Sequence, residues 1–174
     1  MNKEIPAVIT AHLILHRLQP KEAEVLYRIY QSEGVLQYFP ITIPPPLEKV
    51  QRFIRGQGEH WEKYGYGNWG VLPVGGQEIV GWAGLQYLPE LDETEVGFLL
   101  DRPWWGKGYA TEAAQASINF GFENFSLDHI IALVHPENLA SQRVIEKCGL
   151  VYQETIPVWG IKLKRYRIEK PEMK

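Results

Sequence analysis

The sequence predicts an α/β fold, specifically an α+β layer with a mixed, mostly antiparallel sheet flanked by helices. Two observations lead there. Hydrophobic periodicity switches between strand and helix in the order β-αα-βββ-α-β-α-ββ. In the middle of that order, Glu95 to Thr111 (EVGFLLDRPWWGKGYAT) reads as a buried strand, a glycine-rich turn and the opening of a helix.

The elements follow in order. Thr10 to Leu18 alternates, with Leu13 and Leu15 opposing Ile14, and suits a first strand. Pro20 opens a helix carrying Ala23, Leu26, Tyr27 and Tyr30 at helical spacing, which Gly34 ends. Pro40 and Pro44-Pro45-Pro46 stiffen the connection to a second helix, Leu47 to Tyr64, with Val50, Phe53, Ile54 and Trp61 on its buried stripe. Asn68–Val74 and Glu78–Leu88 form a hairpin about Gly75-Gly76. An acidic loop, Pro89–Thr94, leads to the central strand Val96–Leu100, expected to be buried on both faces. The helix Ala110–Phe125, the strand His129–His135 and a helix capped by Asn138 and stopped by Gly149 come next. Val151–Ile156 and Trp159–Glu169 complete the sheet. Trp159, Ile161 and Leu163 alternate in one phase and Tyr166 and Ile168 in the other, which predicts a bulge near Lys164–Arg165.

Composition narrows the functional classes. The 174 residues suit a single domain, 1–174, with 45% hydrophobic and 22% charged residues. No apolar run approaches the ~18 residues of a membrane span, and Met1–Pro6 shows no secretory pattern. A net charge of -3 argues against a phosphate-tracking surface, and hence against nucleic acid as the partner. The single Cys148, expected to be packed and inert, fits a reducing compartment. The expectation is a cytoplasmic protein with no membrane partner and no metal, since no His/Cys/Asp/Glu cluster has ligand spacing.

The chemistry gathers at the glycine turn. Gly106 and Gly108 let backbone N–H groups face an oxyanion, and the first-turn amides of the following helix carry its positive dipole end. The dinucleotide fingerprint fails because position 111 is Thr and no suitable βαβ opening precedes it. The P-loop fails because Lys107 is followed by Gly108.

EVGFLL (95–100), WWGKGYATEA (104–113) and NLASQRVIEKCGL (138–150), with glycine turn and Asn-x-x-Ser helix about 30 residues apart, resemble the GNAT N-acetyltransferases. Within them the chain is similar to the branch of ribosomal-protein N-terminal acetyltransferases. The resemblance spans Thr10 to about Glu169. It implies acetyl-CoA as donor (CoA as product), lying between two splayed parallel strands, here Val96–Leu100 and Ile130–His135. Backbone amides from Trp105, Gly106, Lys107, Gly108, Tyr109 and Ala110, continuing to Thr111, would cradle the pyrophosphate. Phe98 and Leu100 would bond the pantetheine arm, and an N–H near Leu99 would serve the oxyanion. Asn138 and Ser141 would stand on the opposite wall. Two departures are visible. Pro103 holds the first position of the family's Gln/Arg-x-x-Gly-x-Gly/Ala turn, with Arg102 one place early. His12 and His16 replace arginines of the branch's usual opening.

Acetyl transfer requires a base for the amine and an acid for the departing thiolate. Glu95 is the expected base, acting directly or through water, with Glu93 its competitor. Ser141 is the expected acid, with Tyr152 the alternative. Lys107, Arg143 and Lys147 read as a solvated charged face that could also meet phosphates, and Glu112 as a helix N-terminal carboxylate. His135 reads as a spacer. The basic run Lys162, Lys164, Arg165, Arg167 and Lys170 suits an edge strand or an acidic partner. The expected activity is N-acetyl transfer to a primary amine, on a protein N-terminus or a small molecule, by direct attack. A silent acyl-CoA-binding module on the same fold is the alternative, and a homodimer through the final strands is compatible with the sequence. Of the six tryptophans, Trp61, Trp69, Trp82 and Trp104 divide between core and substrate wall in a way the sequence leaves open.

Overall fold

A computed structural model describes residues 4–172; the first three and last two positions of the expected domain, and with them part of the Met1–Pro6 reading, lie outside the described residues. The strands are β1 (Val8–Ile9), β2 (Leu13–Arg17), β3 (Asn68–Pro73), β4 (Gly81–Leu88), β5 (Glu93–Leu100), β6 (His129–Val134), β7 (Val151–Val158) and β8 (Ile161–Glu169). The helices are α1 (Ala23–Gln31), α2 (Leu47–Tyr64), α3 (Tyr109–Asn124) and α4 (Leu139–Lys147). The strands form one eight-stranded sheet in the order β1-β2-β3-β4-β5-β6-β8-β7. Among the described strands, β5 and β6 are the single parallel pair. The expected element order holds, with a two-residue strand added at the start.

Five details differ from expectation. The first strand breaks at Thr10, whose hydroxyl and N–H both turn back onto Leu13 O, so β1 and β2 are separate. β4 begins at Gly81 rather than Glu78. β5 begins earlier, at Glu93, because a tight turn with Asp92 at φ +53 replaces most of the acidic loop. β5 is buried at Val96, Leu99 and Leu100 but only half-buried at Gly97 and Phe98, where it meets a cleft. The bulge lies on β7, where Gln153 is skipped between the pairs Tyr152–Tyr166 and Glu154–Arg165; β8 runs regularly against β6.

Two cores sandwich the sheet. On one face, α3 and α4 cover Leu85, Val96, Leu100, Ile130 and Tyr166. On the other, α1 and α2 cover Ile79, Leu99 and the inner side of Trp82. The small buried residues of α3, Ala113, Ala114, Ser117 and Gly121, let it press against the sheet; a Cβ on Gly121 would stand 2.6 Å from Leu85. Pressed down in this way, α3 holds its N-terminus beside the end of β5. Glu112 ties that first turn to β2, accepting from Thr10 Oγ1 (2.5 Å) and His12 N (2.7 Å) and pairing with His12 Nδ1 (2.9 Å). Burial alone would raise its pKa, but these bonds outweigh burial and hold it below the usual carboxylate value. His16 pairs with Glu22 at 2.6 Å, so both unexpected histidines are structural partners of carboxylates. Cys148 is free and buried, its thiol pushed up to about 11 by burial. No described helix is long and apolar enough to cross a membrane, and no described cluster of His, Cys, Asp and Glu could hold a metal.

Candidate active site

The site begins where β5 and β6 part. They align at Glu95–Ile131 alone, and beyond that point the β6-facing edge of β5 is open while its other edge stays paired with β4 through Leu100. The Leu99 carbonyl turns toward β4, since a Cβ built on Gly81 would lie 1.9 Å from it. An extended residue's N–H and C=O point the same way, so the N–H of Leu99 is directed at β4 and cannot serve an oxyanion. The neighbours Phe98 and Leu100 present their main chains to the open side instead. The Leu100 carbonyl accepts there from the Trp105 indole at 2.7 Å.

Past β5, a 3-10 turn at Arg102–Trp104 leads into Gly106 (φ +72) and Gly108 (φ +81), which caps α3 without a side-chain partner. Both glycines are left-handed, and nothing lies within 4 Å of where a Cβ would stand. Phe98, Leu99, Leu100, Trp105, Gly106, Gly108, Tyr109, Ala110 and Thr111 line a cavity of about 360 Å³, with Asn138 and Ser141 across it. Lys107 does not line it; its ammonium lies 4.9 Å from the Trp104 ring. Arg143 and Lys147 on α4 do line it, so two charges read as a solvated face stand at this cavity.

Asn138 caps α4, its Oδ1 accepting from Ser141 N at 3.1 Å. The capping task therefore falls to Asn138 and leaves the Ser141 hydroxyl available. Ser141, Asn138, Phe98, Tyr38 and Phe39 also border a second cavity of about 250 Å³, so the two cavities meet along a common wall. Glu95 lies in this second half. Its residue surface is half-buried, but the carboxyl sits at interior depth, and loss of solvation pushes its pKa up to about 8 against a hydrogen bond from the Leu133 backbone. Among the described residues no cation is paired with it to offset that burial.

The competitors are engaged elsewhere. Glu93 is held by Arg165 and His129 and lines neither cavity. Tyr152 is exposed on β7, with its hydroxyl 3.0 Å from Thr155 Oγ1, and also lines neither. His135 borders the second cavity, with Nδ1 accepting from Glu137 N and its ring 5.2 Å from that of Tyr38. The basic run is largely tied down: Lys164 bonds Gln142, Arg165 pairs with Glu93, and Arg167 pairs with Glu169.

The structure also sorts the tryptophans. Trp61 and Trp69 are core, Trp104 and Trp105 wall the first cavity, and Trp82 and Trp159 wall the second. Asn68 and Tyr38 are among the wall residues that sequence reading missed, with Gln86 and Trp159. The adjacent aromatics Tyr38-Phe39, stranded in a loop before Pro40, were the available signal for one. Asn68, at the start of a strand, offered none.

Splayed strands, a glycine turn at a helix N-terminus and a two-part cleft define a transferase of an acyl group carried on a long phosphate-bearing arm. The acetyltransferase (GNAT) domain model matches residues 12–151, and the chain belongs to that family, whose members carry out acetyl-CoA-dependent N-acetylation. The uncharacterized protein YkkB of Bacillus subtilis (strain 168) is 35% identical over 156 residues, 88% of this chain and 90% of that protein. A GNAT-family acetyltransferase structure from Bacillus anthracis superposes with a TM-score of 0.82 at 25% identity, covering 96% of this chain and all (100%) of that one. RimL, the ribosomal L7/L12 α-N-protein acetyltransferase solved with coenzyme A, shares the fold with a TM-score of 0.79 at 15% identity, over 96% of this chain and 98% of its own.

Proposed function

We propose that residues 1–174 form one acetyltransferase domain that moves the acetyl group of acetyl-CoA to a primary amine by direct attack in a ternary complex. The observation that carries this reading is the placement of the Glu95 carboxyl in the half-cleft that shares Phe98, Asn138 and Ser141 with the cavity at the glycine turn, where burial pushes its pKa up to about 8.

The residues present fit the donor. The turn has open space over Gly106 and Gly108, and the first-turn amides of α3 at Tyr109, Ala110 and Thr111 are the groups a helix leaves without intrahelical partners. Gly106 through Thr111 would hold the phosphates, with Arg143 and Lys147 adding positive charge. Phe98 would bond the arm through its main chain, and Leu100 would do so once its carbonyl is released by Trp105. Acetyl-CoA supplies an activated thioester.

Glu95 takes the proton from the amine nitrogen, directly or across one water. A base of pKa about 8 is matched to an amine of pKa near 7.7–8.0, and less so to a lysine-type amine near 10.4. As the nitrogen bonds the acetyl carbon and the C–S bond breaks, Ser141, standing where the two half-clefts meet, passes its proton to the departing sulfur and regains one from solvent. No acyl-enzyme is needed: Cys148 is buried, lines neither cavity and has a thiol pushed up to about 11.

The test is acetyl-CoA-dependent release of free CoA thiol with a panel of amines, in wild type and Glu95→Gln. The reading expects turnover that falls in the variant while acetyl-CoA affinity stays unchanged. Equal turnover in both would remove Glu95 from the chemistry.

A further inference from the structure

The acceptor half of the cleft is specific enough to describe its guest. Its volume, about 250 Å³, lies below the roughly 300–1,000 Å³ usual for ligand sites, so the part of the guest that enters it is compact. Its walls are largely aromatic and aliphatic, with Gln86, His135, Asn138 and Ser141 among the polar exceptions. The Trp82 indole N–H donates to Tyr30 Oη at 3.0 Å, so the ring offers the cavity only carbon. Among the described residues bordering it, there is no Lys, Arg or Asp. A carboxylate on the acceptor, as on a free amino acid, would meet no lysine or arginine there. The further ammonium groups of a polyamine would find one carboxyl, Glu95, and no other. Burying an unpaired charge costs several kcal/mol.

One group in this half lacks a partner. Asn68 is 2% exposed and borders the cavity, and its Oδ1 is buried with no hydrogen-bond donor. Its neighbours do not supply one. Gln57 Oε1 accepts from Asn68 N, and Trp61 Nε1 donates to Asn68 O, so both contacts serve the main chain. Leaving a buried amide oxygen unpaired is unfavourable, and a turn of the amide that brought this oxygen to the cavity would let a guest's hydroxyl or N–H bond it.

Strand register gives the span between the two polar ends. Asn68 aligns with Gly84, and Gly84 with Gly97, two residues along β5 from Glu95. Asn68 and Glu95 therefore share a face of the sheet, separated by two strand spacings, about 10 Å, and two residues along the strand. Gly84 and Gly97 leave the sheet between them without side chains, and the Trp82 ring flanks Gly97, 3.5 Å from where its Cβ would be.

We infer that the acceptor is a compact primary amine on an uncharged, flat apolar body, with its amine at Glu95 and a hydroxyl or N–H at its far end bonded to the Asn68 side chain. A hydroxyl both gives and takes a hydrogen bond, so it satisfies the amide in either orientation. The inference rests on the acetyl-transfer reading above.

The probes are tyramine, phenethylamine (the same body without the hydroxyl), spermidine and a serine-initiated peptide, each tested for CoA release by wild type. The expected order puts tyramine at least about tenfold above phenethylamine in kcat/KM, and further above spermidine and the peptide, because a site built to bond a hydroxyl rejects its absence. In Asn68→Ala the tyramine-to-phenethylamine ratio falls to about one; the wild-type comparison stands without the variant should it fail to fold. A wild-type ratio near one, a preference for spermidine or the peptide, or acetyl-CoA binding with no turnover of any probe overturns the inference. Turnover of spermidine or the peptide alone would leave acetyl transfer standing. Failure to bind acetyl-CoA at all would instead remove the acetyl-transfer reading.

Discussion

The two halves of the cleft are built on opposite principles. The half at the glycine turn, proposed for the donor, is built from main chain: two left-handed glycines, the first amides of α3 and the unpaired edge of β5. The half proposed for the acceptor is built from side chains drawn from distant positions, with Tyr38, Asn68, Trp82, Glu95 and Trp159 converging on one cavity. Backbone recognition tolerates changes of side chain, which is why Pro103 at the first motif position does not disturb the turn. Side-chain recognition is set by each residue, so this half can carry substrate choice while the other stays constant.

Perturbing each half separately sharpens this contrast. The largest effect is expected from Glu95→Gln, which removes the base and should lower kcat/KM by about 10²–10⁴ at unchanged acetyl-CoA affinity. Gly108→Trp should act in the opposite sense on the two observables. It forces a side chain into the left-handed region at φ +81 and sets an indole at the turn, so acetyl-CoA affinity should fall by roughly 100-fold or more by calorimetry. Equal affinity in that variant would break the account of the donor half. Ser141→Ala should slow kcat about tenfold, because a thiolate is a tolerable leaving group without full acid help. Loss confined to KM would reassign Ser141 to binding.

The smallest effects concern stability. Glu112→Ala removes three hydrogen bonds between α3 and the start of β2, and should cost about 1–3 kcal/mol by denaturant unfolding. Its lowered pKa makes that contribution present above the unfolded carboxylate value and lost as pH falls through the folded one. Glu95 works with the opposite sign. Its folded pKa of about 8 exceeds the reference 4.5, so the folded state holds the proton more tightly, and its contribution is lost as pH rises from about 4.5 through 8. Wild type should therefore lose Tm relative to Glu95→Gln between pH 5 and about 9, and parallel Tm curves would contradict the burial of that carboxyl.

The same contrast explains what could be read from the sequence. The element order, α2 from Leu47 to Tyr64, the glycine turn and the Asn138 cap are local patterns, set by residues within one turn or strand of each other. Glu95 could be singled out as a candidate because it precedes the apolar run Val96–Leu100 that leads to the turn. The N–H of Leu99 was misplaced because its direction depends on pairing with β4, which sequence does not show. The phase slip in the last strand was visible, but its cause lay on β7 at Gln153. Lys107, beside the glycines, turned to Trp104, while Arg143 and Lys147 reached the cavity from a helix face that looked solvated. Asn68 could not be identified, because its significance lies in the partner it lacks.

The most direct test of the account is the pH dependence of kcat/KM for CoA release in wild type and Glu95→Gln, with an acceptor amine of pKa about 10.4 so that its own titration stays apart from about 8. A rising limb with its midpoint at about 8 in wild type, absent from the variant, is the predicted result. The same limb in both proteins, or none near 8 in wild type, would contradict the assignment of Glu95 as the base at the junction of the two halves.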